Sequence, residues 1–164
     1  MISGQMNFGD KHDGSTHAGL HGPGSGRSHD GNCRYSDGEL SILLIEDSER
    51  LRVRLVELLD EPGTMHVTAT AETELEAVQR ISEDEYDVLL VDVELRAGSG
   101  IGAIRYARAT YPRDRQPLII VLTNYALPAV RARCMAAGAN HFLDKMRQFQ
   151  DVKPLIVASC RPPS

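Results

Sequence analysis

Short apolar runs alternate with stretches of helical period from Leu40 to the end of the chain. SILLI (41–45) has the unbroken apolarity of a strand covered on both faces. SERLRVRLVELLDE (48–61) then places Leu51, Leu55, Leu58 and Leu59 on one stripe of a helix, with Ser48 at its N-cap position. HVTATA (66–71) predicts a second strand and ETELEAVQRI (72–81) a second helix, with Leu75, Val78 and Ile81 at helical spacing. The third strand lies in YDVLLVDVEL (86–95), where four consecutive apolar residues run directly into Asp92. A helix near 100–110, the strand LIIVLT (118–123), a helix over 128–137 closed by Gly138, and a short strand HFLD (141–144) follow. The last helix is expected to start near Asp151, because Pro154 is tolerated in a first turn but breaks a helix interior.

Strands that alternate with helices and read as continuous apolar runs predict an α/β fold. The expected form is a flavodoxin-like, doubly wound, five-stranded parallel sheet of strand order 2-1-3-4-5 with right-handed crossovers. In that order the carboxyl ends of strands one and three lie side by side, about 5 Å apart, at the switch point where ligands bind.

Composition divides the chain in two. Residues 1–39 hold nine of the fourteen glycines and four of the six histidines, which predicts a disordered Gly/Ser/His-rich tail ahead of one domain over 40–164. His12, His17, His21 and His29 have no spacing that fixes a coordination geometry, so the tail is not read as a metal site. The net charge of -5 and the scattered basic residues argue against direct binding of nucleic acid. No apolar run approaches the roughly 20 residues that span a bilayer. Three cysteines without a CxxC pair, and no secretory segment at the start, point to the reducing cytoplasm.

The expected sheet edge brings unusual chemistry together. Strand one ends in Glu46 and Asp47, strand three in Asp92, strand four in Thr123 and strand five in Lys145. Like charges ~4 Å apart repel by about 4 kcal/mol at an effective dielectric of 20, so three ionised carboxylates need a cation. A hard divalent ion, Mg2+, suits such oxygen ligands and leaves room for a phosphoryl oxygen. Thr123 and Lys145 then offer a hydroxyl and an ammonium to the other phosphoryl oxygens, which makes Asp92 the candidate phosphoacceptor.

In this pattern the sequence, from residue 41 to about 158, resembles the receiver domain of two-component response regulators. The carrying residues are the acidic pair Glu46 and Asp47, the acceptor Asp92, Gly100 eight residues later, Thr123 and Lys145. The resemblance implies phosphotransfer to Asp92 from a sensor histidine kinase or histidine phosphotransfer protein, in a Mg2+-dependent phosphorelay, followed by a shift of Thr123 and of an aromatic switch residue, here Phe142. It also implies a metal ligand from the backbone carbonyl of Glu94. The chain departs from the family pattern at Arg96 and Met146, where prolines are frequent, and at Asn124, where a small residue is common. Fewer than twenty residues follow Lys145, so a stand-alone receiver is expected.

Taken singly, each site residue has a plainer use: acids at a helix N-terminus, a turn aspartate, a capping threonine, a strand-end lysine. Their convergence outweighs those readings. Nothing comparable converges on His66, His141 or Cys134, and Tyr106, Arg108 and Tyr111 are expected to form a half-exposed helix face. Two alternatives stay open. One is an aspartyl-nucleophile phosphatase of haloacid-dehalogenase type, which the acidic pair preceding Asp92 argues against. The other is a receiver-fold adaptor that is never phosphorylated. The downstream target is not legible.

Overall fold

The alternation written into the sequence becomes, in a computed structural model describing residues 38–160, a single parallel sheet wrapped by helices. In chain order the elements are β1 (Leu40–Ile45), α1 (Glu49–Leu59), β2 (Met65–Ala71), α2 (Glu74–Glu83), β3 (Val88–Val91), α3 (Gly100–Thr110), β4 (Leu118–Thr123), α4 (Pro128–Ala137), β5 (His141–Asp144), α5 (Lys145–Gln148) and α6 (Val152–Cys160). The strands lie in the order β2-β1-β3-β4-β5, all parallel, which is the flavodoxin-like order expected. Among the described residues no helix is long and apolar enough to cross a membrane. The expected tail, up to residue 37, and with it His12, His17, His21, His29 and Cys33, lies outside the described residues.

The continuous apolar strands serve two cores at once, because successive side chains point to opposite faces. Leu43, Ile45, Leu89, Val91, Ile119 and Val121 pack with residues of α2, α3 and α4. Ile42, Leu44, Val88, Leu90, Ile120 and Leu122 pack on the other side with Leu55 and Leu59 of α1 and Ile156 of α6.

The helices begin where polar caps dictate. The Ser48 hydroxyl accepts from the Leu51 amide, as expected for α1. For α2 the cap is Thr73, whose hydroxyl accepts from the Glu76 amide, so the helix starts two residues later than the sequence predicts. Ala77 and Ile81 face inward and Leu75 is 77% exposed, so Leu75 is not part of a buried stripe. The Gly138 cap of α4 has φ +118 as a C-terminal glycine should. α6 begins at Val152, one residue beyond the expected start, with Pro154 in its first turn. The short helix α5, running on from β5, was not legible beforehand.

Of the half-exposed face expected on α3, Tyr106 and Arg108 are half-exposed, but Tyr111, just past its C-terminal end, is not. Tyr111 is 6% exposed and its hydroxyl donates to the Asp84 carbonyl at 2.9 Å. Arg108 is partly buried and donates to the carbonyls of Gly138 and Pro117 and to the side-chain oxygens of Gln116 and Asn140. Burial holds its guanidinium below the ordinary arginine range. Cys134 is fully buried in the core, and burial raises its thiol pKa.

Candidate functional site

Strand register brings the site residues level. Ile45 pairs with Val91, so Glu46 and Asp92 emerge side by side as β1 and β3 end. Val91 pairs with Val121, and Thr123 with Asp144, which sets Thr123 and Lys145 on the same edge. Among the described residues the buried polar or charged side chains are Glu46, Asp92, Thr123 and Lys145, and all four stand at this edge. Burying such groups is costly unless they are paired, so their concentration in one place needs a chemical reason.

Lys145 supplies part of the pairing. Its Nζ donates to Glu46 Oε2 and to Asp92 Oδ2, each at 2.6 Å. Glu46 Oε1 accepts from the Ser48 amide at 3.0 Å. Asp92 Oδ1 is buried and has no hydrogen-bond partner. Burial by itself would lower the Lys145 pKa, but its hydrogen bonds to Asp92 and Glu46 and their negative charge outweigh it, and the ammonium is held above its ordinary value. Glu46 moves up as well, because desolvation exceeds what Lys145 and the Ser48 amide return. One ammonium thus faces two buried carboxylates.

Carboxylate oxygens of Glu46, Asp47 and Asp92 lie within 4.8 Å of one another. This is a donor set of hard oxygens with an orphaned buried oxygen among them, and it fits a divalent cation such as Mg2+. The three residues line an open cleft of about 580 Å³ together with Lys145, Glu94, Asn124 and Tyr125. Glycine is required at position 100, since a Cβ there would collide with the backbone carbonyl of Asp92 and stand 2.6 Å from Val91 Cγ1.

Thr123 and Phe142 are buried and are not among the residues that line the cleft. Thr123 Oγ1 accepts from the Tyr125 amide at 3.2 Å. Phe142 is 8% exposed and packs in the core, with the Arg131 guanidinium 5.7 Å from its ring. The Glu94 side chain is exposed, and its carboxylate near the Tyr125 hydroxyl raises the phenol's pKa. Two features escaped sequence reasoning. The Tyr125–Glu94 pair joins residues on different loops. Arg52, on α1, donates to the carbonyls of Glu46 and Asp47, and its helical position carries no local signal of this.

Comparison with known proteins agrees with this geometry. The response regulator receiver domain family matches residues 42–156. The two-component response regulator PhoP of Pseudomonas aeruginosa is 30% identical over 122 residues, covering 74% of this chain and 52% of that protein. The photosynthetic apparatus regulatory protein RegA of Cereibacter sphaeroides is 29% identical over 118 residues, covering 72% of this chain and 61% of that one. The chain therefore spans between half and two thirds of the length of these two relatives. Among solved structures, the receiver domain of a sensor histidine kinase from Pseudomonas aeruginosa PAO1, with a magnesium ion coordinated in its active-site cleft, is 27% identical. It superposes with a TM-score of 0.63, covering 74% of this chain and 97% of that one. The response regulator domain of Thermotoga maritima CheB is 25% identical with a TM-score of 0.62, covering 73% and 91%. With the matched family reaching all five strands and every strand end that builds the cleft, the chain belongs to the response regulator receiver domain family.

Proposed function

We propose that this protein accepts a phosphoryl group on Asp92 from the phosphohistidine of a sensor histidine kinase or histidine phosphotransfer protein, in a Mg2+-dependent phosphorelay. The observation that carries the reading is the gathering of the buried polar side chains at one sheet edge, with Asp92 Oδ1 left without a partner. In the transfer an Asp92 oxygen attacks phosphorus, the N–P bond of the donor breaks, and its electron pair stays on the imidazole nitrogen, which takes up a proton.

Glu46, Asp47, Asp92 and the backbone carbonyl of Glu94 would hold the ion. Bound Mg2+ offsets the carboxylate charge and polarises phosphoryl oxygens. The magnesium carried by the similar kinase receiver domain supports the same ion here. Lys145, freed from part of its carboxylate pairing, and the Thr123 hydroxyl bind the remaining phosphoryl oxygens. Thr123 and Phe142 act as the switch pair that transmits the change toward α4 and β5.

On this reading the protein is a cytoplasmic signalling protein that promotes only its own phosphorylation and dephosphorylation, with the receiver unit beginning at residue 40. Its partner is the phosphodonor, and neither nucleic acid nor a membrane is engaged directly. The test is incubation with a radiolabelled acyl phosphate with and without Mg2+. Label acquired only with the ion, and located at Asp92 by mass spectrometry, is the expected result; label elsewhere, or none, would refute the proposal.

A further inference from the structure

One carboxylate outside the site ties together the loops that build it. Glu72 follows β2 and is itself held in place, because its amide donates to Glu76 Oε2 at 2.7 Å while Glu76 is capped by Thr73. Glu72 Oε1 lies 2.7 Å from Arg52 Nη2, and Glu72 Oε2 lies 2.8 Å from Arg96 Nη2. Arg52 Nη1 then donates to the Glu46 carbonyl at 2.9 Å and the Asp47 carbonyl at 3.0 Å. Arg96 sits in the loop after β3, four residues beyond Asp92 and two beyond Glu94. That loop contains no proline between 92 and 99 and passes through Gly98 at φ +77, so its backbone is held by contacts rather than by its own stiffness.

We infer that Arg52, Glu72 and Arg96 form a positioning network for the divalent-cation site. Through it Glu72 joins the backbone of Glu46 and Asp47 to the loop of Glu94, which the Glu74 amide and carboxylate also hold at Ala97 and Ser99. The inference rests on the proposal that these groups bind Mg2+. None of the three side chains lines the cleft, so all act through the groups they hold.

The sign of the effect separates positioning from simple charge. Arg52 and Arg96 are cations near a cation site, and by field alone their removal would tighten Mg2+ binding. If they position the ligands, removal weakens it. Arg96 is 63% exposed at its side chain and Arg52 16%, so Arg96→Gln is the variant least apt to disturb folding, and Arg52→Gln the one with the larger expected effect.

The experiment is a Mg2+ titration followed by backbone amide shifts on the full chain, for the parent, Arg96→Gln, Arg96→Lys and Arg52→Gln, with thermal melts of the metal-free proteins alongside. Expected are a Kd raised about three- to fivefold by Arg96→Gln, a near-parental Kd for Arg96→Lys, which keeps the ion pair, and a Kd raised on the order of tenfold by Arg52→Gln. The melting temperature of Arg96→Gln should equal that of the parent. An unchanged or lower Kd in Arg96→Gln overturns the network while leaving the proposed function standing. No Mg2+-dependent shift in the parent overturns both.

Discussion

Lys145 Nζ lies 2.6 Å from Asp92 Oδ2 and equally close to Glu46 Oε2, so one ammonium answers two buried carboxylates. Lys145→Ala removes the only cation among the described residues in contact with either and leaves them buried without compensation, which typically costs about 3 kcal/mol or more. We expect the metal-free variant to unfold at correspondingly lower urea, and Mg2+ to restore part of the loss by supplying the missing charge. Labelling of Asp92 should persist, while the amide-shift response of α4, β5 and α6 to phosphorylation should shrink. A metal-free stability equal to that of the parent would show that the ammonium does not compensate these carboxylates.

Asp92→Asn and Asp47→Ala separate the acceptor from the metal ligand. Asp92→Asn should abolish labelling by acyl phosphate. Asp47→Ala should weaken Mg2+ binding and labelling, yet leave the metal-free fold as stable as the parent or more so, because it also relieves repulsion among Glu46, Asp47 and Asp92. Strong labelling of Asp92→Asn would refute the acceptor assignment, and unfolding of Asp47→Ala would make that residue structural.

Much of this architecture was legible because it depends on local periodicity and on what stands at each strand end. Four-residue apolar runs such as Val88–Val91 have few ways to be buried other than in a doubly covered sheet, and such a sheet orders its carboxyl ends along one edge. Helix phase was less legible. Leu75, Val78 and Ile81 recur in three-residue steps, but at 3.6 residues per turn such steps drift around the helix, so Ala77 and Ile81 face inward and Leu75 outward. Contacts between distant segments left no local trace. The Arg52–Glu72 pair spans 20 residues and the Arg108–Asn140 pair 32, and only the tertiary fold selects those partners among the many charged and polar residues available.

The base of the molecule carries a pH prediction of its own. Burial, the largest cause, pushes the Tyr111 phenol far above its ordinary range, so the folded state favours the protonated form. The unfolded chain ionises near pH 10, and stability is therefore complete below that pH and declines above it. Tyr111→Phe loses the hydrogen bond to the Asp84 carbonyl, about 1 kcal/mol at neutral pH. It should also lose less stability than the parent between pH 10 and 11. Urea unfolding across that range checks this, and parallel alkaline declines in the two proteins would contradict it.

The lifetime of the phosphorylated state should depend on what stands over the cleft. Asn124 and Tyr125 line it beside Asp92, and an attacking water must approach in line with the breaking P–O bond. The Glu94 carboxylate could affect that water in two opposed ways, by orienting it or by repelling the phosphoryl group. Glu94 lines the cleft with Asn124 and Tyr125, and since its two effects oppose one another the prediction rests on the bulk of the other two side chains. Asn124→Ala combined with Tyr125→Ala should shorten the lifetime on the order of tenfold. Tyr125→Phe, which keeps the ring and removes the hydroxyl near Glu94, isolates the carboxylate's contribution. Labelling, removal of the donor and timed decay give the rates. A parental lifetime in Tyr125→Phe with a short one in the double alanine variant would assign the protection to the ring. An unchanged or longer lifetime in the double variant would rule out steric shielding and leave Glu94 as the residue that sets the rate.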